Sequence, residues 1–595
     1  MLAFYPLHSQ AALPVRFAPR GKWRWGPKFD TPSLANRRAI HQNTTTLSWK
    51  TVLCRRMATT LPSLLEPSID ERPTLFADRV GRAYTLGTSP SHKKKYGQYL
   101  TPVVVADFMA SLIECDDEEV RILDPGAGTG VLACAVAEAL AGRKQKPRRL
   151  AIDAYESDRE LLPILDRSMR HLRAFLKRQG IALTYRTVAE DFVLEHAAQL
   201  RRGEALFQNG SEPCEYDVAI GNPPYFKLPK SDPRARAAEH VVHGQPNIYA
   251  LFMAISAALL RPGGELVFIT PRSFTSGPYF QRFRERFFTR VQLEAVHVFD
   301  SRKDAFSRDG VLQENMILKG RCREHWAKVD SGGSVRVSVS HGAADIATSS
   351  FRSVPMAGLL DMESKERMLR IPSSEDEDQI VHRIDNWTGK LSSFGMQCST
   401  GPVVPFRAVE LLSMQGDVSN GHAPLLWLQN VHPMRIEWPT SARRKQQYIS
   451  SSRDAVPLLV RDRNYVLLRR FSAKEEKRRL VAAPLLAGQL QSEWIGIENH
   501  LNYIHRPGGS LTEEEALGLA VLYNSEFMDT YFRILNGSTQ VSATEIRKIP
   551  LPDVDVIMEI GRRVKRRRPD HAETEELAQL AFTGQIKRRT KTKYA

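Results

Sequence analysis

Asn222-Pro223-Pro224-Tyr225 is the stretch whose residue types point most directly to a chemistry. Two successive prolines fix the backbone and remove two amide donors. What remains is a set of acceptors, the Asn222 side-chain oxygen and the prolyl carbonyls, beside one aromatic ring. A planar group bearing an NH2 suits that equipment: the acceptors take its hydrogens and Tyr225 covers its π face. Adenine N6 is such a group. The tetrapeptide follows the apolar run Tyr216-Asp217-Val218-Ala219-Ile220-Gly221, which reads as a buried strand ending in a tight loop.

A second segment supplies a place for a cofactor. Val120-Arg121-Ile122-Leu123-Asp124 is an apolar strand, and Pro125-Gly126-Ala127-Gly128-Thr129-Gly130 is a glycine-rich turn that opens a helix near Val131. Strand, glycine turn and helix are how a doubly wound sheet lets a cofactor approach the backbone. No Gly-Lys-Ser/Thr follows, so the turn is not a Walker loop. Its glycines, spaced one apart behind Asp-Pro, fit the dinucleotide fingerprint poorly. The next strand, from Leu150 to Tyr155, ends at Glu156, where a carboxylate can hold both ribose hydroxyls. An isolated glutamate would read as a solvated strand end; the spacing behind the glycine turn favours the ribose role.

In this order the motifs resemble the S-adenosylmethionine-dependent DNA adenine-N6 methyltransferases of restriction–modification systems. More narrowly, the chain is similar to the gamma class, the Eco57I-type modification methylases, in which a catalytic domain precedes a target-recognition domain. The match runs from about residue 94 to 552. Gly97-Gln98-Tyr99-Leu100-Thr101-Pro102 is similar to the leading motif, which implies that Thr101 and Pro102 lie against the methionine end of the cofactor. By the same resemblance Asp124, Pro125, Gly126, Gly128 and Gly130 are the cofactor loop and Glu156 the ribose acid. Asp191, in Ala189-Glu190-Asp191-Phe192, is the strand-end acid that reads the cofactor's adenine amino group. Asn222, Pro223, Pro224 and Tyr225 are the catalytic tetrapeptide. Asn247 to Phe252 opens a helix that ends at Arg261-Pro262-Gly263-Gly264, and Leu266 to Phe274 follows as the family writes it. Residues 299–318 resemble the last catalytic motif, in which Phe306 takes the place of the aromatic that stacks on the extruded base. The implied fold is α/β: a Rossmann-like S-adenosylmethionine-dependent methyltransferase domain with a C-terminal α+β target-recognition domain.

The exocyclic nitrogen of adenine is a poor nucleophile because its lone pair is delocalised into the ring. Hydrogen bonds from its two N–H groups to Asn222 and the Pro223 carbonyl would localise that lone pair toward an activated sulfonium methyl, and direct displacement becomes feasible. Positioning and electrostatics then supply most of the acceleration, with no cysteine nucleophile and no strong base. Taking the base out of a duplex costs roughly a few kcal/mol. A sandwich between Tyr225 and Phe306 offsets part of it, since base–aromatic stacking contributes on the order of 1–3 kcal/mol. Phe306 lies in the polar run Ser301-Arg302-Lys303-Asp304-Ala305-Phe306-Ser307-Arg308-Asp309, which disfavours a core role.

The elements that must position these groups belong to a chain of 595 residues with 42% hydrophobic content, enough for about three packed domains. The formal net charge of +17 fits a polyanionic partner, duplex DNA. No run approaches the ~18 apolar residues that cross a bilayer, so no membrane partner is expected. Six scattered cysteines without a Cys-x-x-Cys pair argue against a zinc site and a disulfide scaffold, and fit reduced thiols in the cytoplasm. The expected divisions are a basic, unfolded extension over 1–91, with Met57 a candidate start, a catalytic domain over 92–330 and a connector over 331–390. A target-recognition domain over 391–555 and a basic tail over 556–595 complete them.

Within the recognition domain, basic residues are interleaved with aromatics, which suits phosphate contact and base readout. Arg443, Arg444, Lys445, Arg469 and Arg470 are the candidate DNA contacts, with Lys477-Arg478-Arg479 a further cluster. No set of carboxylates and lysine for a magnesium-dependent nuclease is visible, so any restriction endonuclease partner is expected on a separate polypeptide. Two alternatives remain open on the residues: an RNA or protein-glutamine N-methyltransferase, and a catalytically silent DNA-binding protein.

Overall fold

The computed structural model describes residues 66–583, apart from 203–215, 240, 243–245, 301–314, 324–325, 327–332, 363, 441–444, 473–475, 537–539 and 565–568. Phe306, Arg443 and Arg444 lie outside the described residues.

Nine strands make the first sheet: β1 (Glu119–Asp124), β2 (Arg149–Tyr155), β3 (Ala182–Val188), β4 (Tyr216–Gly221), β5 (Leu260–Pro271), β6 (Val291–Phe299), β7 (Asn315–Cys322), β8 (Ser334–Ser340) and β9 (Arg352–Pro355). Their order is β3-β2-β1-β4-β5-β7-β6-β8-β9. The five strands from β3 to β5 run parallel, and β7 enters antiparallel between β5 and β6. Parallel strands covered on both faces read as continuous apolar runs, and all six residues of β4 are buried. Successive side chains point to opposite faces. Ile122, Val218 and Val267 join one core, with helices Val103–Ser111, Val131–Ala141 and Leu162–Arg178. Leu123, Ala219 and Phe268 join the other, with helices Phe192–Arg202, Ile248–Leu259 and Gln281–Arg290. Strand order reverses between β1 and β4, so their carboxyl ends border the crevice where such sheets bind ligands.

Several expected boundaries need correction. The stretch assigned to an unfolded extension contains the helix Pro73–Gly87, whose Phe76, Ala77 and Val80 are buried. The Thr129 hydroxyl donates to the Ala77 carbonyl at 2.9 Å, tying that helix to the glycine turn. Residues 334–355, expected as connector, add β8 and β9 to the sheet. The acidic run Glu375-Asp376-Glu377-Asp378 is the first turn of the helix Glu375–Asp385, capped by the Ser374 side chain. Four carboxylates there face the positive end of the helix dipole.

The C-terminal part carries two larger sheets and a two-stranded one pairing Val431–His432 with Arg435–Ile436. One of the larger two orders the strands Gln397–Thr400, Leu501–His505, Tyr465–Arg469 and Ala482–Leu485; the other is five-stranded around His422–Leu426. Helices Glu513–Tyr523 and Glu526–Leu535 pack on the first of these. The expected basic tail is also corrected: Val554–Arg563 and His571–Thr583 are helices, with Ile557, Ile560 and Ala578 buried in the same core. The two parts share a buried seam. The Arg272 guanidinium, just past β5, donates to the Ile534 carbonyl at 3.2 Å, and the Ser276 hydroxyl donates to Glu545 Oε1 at 3.1 Å. No helix of the described residues is long and apolar enough to cross a membrane.

Candidate active site

A cavity of about 340 Å³ opens at the carboxyl ends of β1 to β4. Gly126 and Gly128 of the glycine turn, Glu156, Asp191, Asn222 and Pro224 all border it. With Pro125, seven sequence candidates from four different strand ends therefore meet in one space, whereas Asp124 is fully buried and not among its lining residues.

The turn is wound tightly between β1 and β2. The Ala127 N–H donates to the Tyr155 carbonyl at 2.8 Å, and the Gly128 N–H donates to Glu156 Oε2 at 2.9 Å. Gly128 has φ +56°, where a side chain is strained, and a Cβ there would lie 3.0 Å from Leu100. Gly130 starts the helix Val131–Ala141, and Pro125 lines the cavity beside Gly126. Pro102 likewise opens the helix Val103–Ser111.

Two acids at these strand ends are held far from their ordinary state: Glu156, which lines the cavity, and Asp124, which is fully buried behind its wall. Burial pushes the Asp124 carboxyl up to about 7, although the amides of Gly126 and Ala133 oppose the shift. Neither of its oxygens is in hydrogen-bond geometry with a described group. Burial also pushes Glu156 up to about 7, against the opposing amides of Asp158 and Gly128. A buried carboxyl with spare acceptor capacity is costly, and a ligand that brings a diol to Glu156 in the cavity relieves that cost. Asp191 accepts from the Leu194 N–H at 3.0 Å and lies 3.6 Å from Arg234 Nη1. A strand-end glutamate and a second acid, Asp191, along one cavity fit S-adenosylmethionine, with its ribose hydroxyls and aminopurine.

The tetrapeptide is braced from two sides. Asn222 Nδ2 donates to the Tyr99 carbonyl at 2.9 Å and to Thr101 Oγ1 at 3.1 Å. Asn222 Oδ1 accepts from the Tyr225 hydroxyl at 2.6 Å, and the Ile269 carbonyl lies 3.1 Å from that hydroxyl. Desolvation pushes the Tyr225 phenol well above its ordinary range. The Asn222 oxygen, read from sequence as an open acceptor, thus already holds one partner, and Thr101 bonds the tetrapeptide itself. Pro223 is buried. The Tyr225 ring lies nearly parallel to Tyr99, centroids 6.2 Å apart, and edge-on to Tyr249.

Sequence reasoning missed the clamp on the leading motif. Asp158 is buried, and its Oδ2 accepts from the Tyr84 hydroxyl at 2.7 Å and Gln98 Nε2 at 2.6 Å, with His92 Nε2 at 2.7 Å. That carboxylate pins residues 92–98 over the cavity. Arg234 was also missed, for the segment around it offered no motif.

Of the candidate DNA contacts, Lys445 places its ammonium 4.3 Å from the Trp427 ring centre. Arg469 Nε donates to the Val431 carbonyl at 2.7 Å and Arg470 Nη1 to the Asn499 carbonyl at 2.9 Å. Arg479 is not a surface residue: it is fully buried, with Nη1 on the Ser472 carbonyl at 2.8 Å. Among the described residues Glu526, His571 and Glu575 are close enough to hold a metal ion, but Arg478 Nη2 already donates to Glu575 at 3.0 Å.

Comparison with known proteins places the chain in a family. The model described as Eco57I restriction-modification methylase matches residues 164–306, and that described as N-6 DNA Methylase matches residues 77–172. The chain is 34% identical over 496 residues to the type II methyltransferase M.PstI of Providencia stuartii, spanning 82% of this chain and 93% of that protein. It is 31% identical to the type II methyltransferase M.BsuBI of Bacillus subtilis, over 79% of this chain and 90% of that one. Among solved structures, the type IIL restriction-modification enzyme MmeI bound to DNA aligns with a TM-score of 0.45 at 11% identity, over 89% of this chain and 74% of that one.

Proposed function

The chain belongs to the type II DNA methyltransferases of restriction–modification systems, and we propose that its methyl acceptor is N6 of an adenine turned out of duplex DNA. The observation that carries this reading is that Asn222 and the glycine turn border one cavity. An amino group brought to Asn222 therefore stands beside whatever the turn holds.

Gly126, Gly128, Glu156 and Asp191 are the residues that hold S-adenosylmethionine. Bound there, the cofactor supplies a methyl group already activated on a sulfonium. Asn222 Oδ1 has two lone pairs, one of them engaged by Tyr225, and the other accepts an N–H of the substrate. Accepting that proton draws the nitrogen lone pair out of the ring plane and toward the methyl group. Tyr225 offers a face to the extruded base, and Phe306, on the segment after β6, offers the second. Stacking of on the order of 1–3 kcal/mol per base sets the scale on which these rings offset the cost of extrusion.

The C-terminal sheets, with Lys445, Arg469 and Arg470 and the Arg443-Arg444 pair, serve as the reader of the duplex. A separately encoded endonuclease completes the system. The test is to express the chain in a methylation-free host and map N6-methyladenine across the genome. One sequence context carrying the mark is expected, and Asn222→Ala abolishes it. Methyl label arriving on RNA or protein instead of DNA refutes the assignment.

A further inference from the structure

The Asn222 carboxamide is gripped at both ends, and one of the grips chooses its orientation. A carboxamide turned end for end keeps nearly the same shape, but its two ends ask opposite things of a substrate. The oxygen accepts an N–H, whereas an NH2 repels one. An asparagine that must present its oxygen therefore needs neighbours that tell its ends apart.

Tyr99 contributes a carbonyl, which can only accept, at 2.9 Å from Nδ2. Thr101 contributes a hydroxyl oxygen at 3.1 Å from the same nitrogen. Together they take both N–H groups of the amide and leave Oδ1 toward Tyr225. The Thr101 side chain is 5% exposed, so no bulk water substitutes for it. Its position in the chain is fixed from both sides: Pro102 starts the helix Val103–Ser111, and the Asp158 clamp holds Gln98 three residues earlier.

We propose that Thr101 is a positioning residue that acts through Asn222: the Tyr99 carbonyl, an acceptor only, selects the orientation, and the Thr101 hydroxyl takes the second N–H and holds the carboxamide there, so that its oxygen meets the substrate amino group. This rests on the reading of adenine N6 as the acceptor. It differs from a role at the methionine end of the cofactor, which predicts a loss of cofactor affinity instead. Without the hydroxyl, one amide N–H loses its partner in a part-buried place, and the carboxamide, held by Tyr99 alone, gains freedom to turn over. The wrong orientation presents hydrogens to hydrogens, so the step lost is chemistry and not binding.

The experiment compares the full chain with Thr101→Val, which keeps the shape and loses the hydroxyl, and with Thr101→Ser, which keeps the hydroxyl. Steady-state methylation of a duplex carrying the mapped site is measured with S-adenosylmethionine and DNA each varied. Thr101→Val is expected to lower kcat about ten- to a hundredfold, with both KM values within about twofold of wild type. Thr101→Ser is expected to recover kcat to within severalfold. An unchanged kcat in Thr101→Val, a defect confined to the KM for cofactor, or a serine variant as poor as the valine overturns the proposal. Binding of S-adenosylhomocysteine to each variant, measured by calorimetry, confirms a folded pocket; its loss in the valine variant alone assigns Thr101 to the cofactor and likewise overturns it. A wild-type chain that makes no N6-methyladenine removes the underlying reading, and that result is visible before any variant is compared.

Discussion

The Gly128 amide donates to the Glu156 carboxylate across 2.9 Å, so the residue read as the ribose acid also holds the cofactor turn in shape. Glu156 Oε1 meanwhile accepts from the Asp158 N–H at 2.7 Å. One side chain therefore ties the turn after β1 to the turn after β2. Its protonation state matters for both.

Cofactor affinity should rise with pH across neutrality. Burial holds both Glu156 and Asp124 at about 7 in the ligand-free fold. Hydroxyl donors from the cofactor favour the ionised form of Glu156, which lines the cavity, so binding lowers its pKa and releases a proton. Between pH 6 and 7.5 the Kd for S-adenosylmethionine should fall severalfold, up to about tenfold, then level off. Calorimetry in two buffers of different ionisation enthalpy reads the proton release directly. Glu156→Gln should weaken binding and flatten the pH dependence; a flat profile in the wild type would refute the assignment.

The same carboxyls give the ligand-free protein an opposite trend. Their pKa values are raised above the ordinary 4.5 and 3.8, so the folded state binds these protons more tightly than the unfolded chain. The stability this contributes is fully present below about pH 4 and is lost as pH rises through about 7. Urea unfolding at fixed salt should show that loss in wild type and a smaller one in Glu156→Gln. Added S-adenosylmethionine should oppose it, because the ligand binds only the folded, ionised pocket.

Asp158 should matter to fold and cofactor together. Its Oδ2 gathers Tyr84 of the helix Pro73–Gly87, His92 of the helix Pro90–Tyr96 and Gln98 of the leading motif. Asp158→Ala takes the shared acceptor from three partly buried polar groups, at up to about 1 kcal/mol for each. A loss of about 2 kcal/mol in urea unfolding is expected, with weaker cofactor binding because residues 95–100 line the cavity. Binding at wild-type strength in Asp158→Ala would show that the clamp does not shape the pocket.

What the sequence made legible, and what it hid, divide along a physical line. Strand ends with a glycine turn or a proline pair carry their marks within a few residues, so Asp124, Gly128, Glu156 and Asn222 could be picked out. Asp158 could not, because Gln98, His92 and Tyr84 are 60, 66 and 74 positions away from it. Composition misled at both ends. The arginines and prolines before residue 66 obscured the amphipathic stripe of Phe76 and Val80, and the Arg562-Arg563 pair obscured Ile557 and Ile560 on the buried face of the same helix. Arg479 sits in a basic triplet yet is swallowed by the core, its backbone N–H on Asp529 Oδ1 at 2.7 Å. A charge run reports composition, whereas burial depends on which face of an element each residue takes.

Glu545 should couple the two parts of the chain. It accepts from Ser276 at 3.1 Å and from Asn536 Nδ2 at 2.8 Å, and burial raises its pKa. Glu545→Ala removes the acceptor for both, at about 1–3 kcal/mol. Ser276→Ala removes one bond and should cost about 0.5–1.5 kcal/mol. Because the pair is in contact, the double variant should cost less than the two losses added together. Strict additivity in urea unfolding would mean that the seam does not depend on this bond.

Gly97 should be intolerant of any side chain, and the reason bears on catalysis more than on stability. Its φ of +63° costs an L-residue about 1–2 kcal/mol. A Cβ there would also lie 2.8 Å from Pro224 Cβ and 3.0 Å from the Phe226 ring. Neither neighbour is a flexible chain end, so the clash falls on the tetrapeptide loop. Pro224 is locked by its ring and can yield only by moving the backbone on which Asn222 and Tyr225 ride. Gly97→Ala is therefore expected to lose about 1–3 kcal/mol in urea unfolding, while kcat drops a hundredfold or so, since a displacement near 1 Å at a reacting group is enough for that. Gly97 itself lines the cavity, so cofactor binding should weaken as well. If instead kcat holds while only stability falls, the leading motif does not press on the catalytic loop.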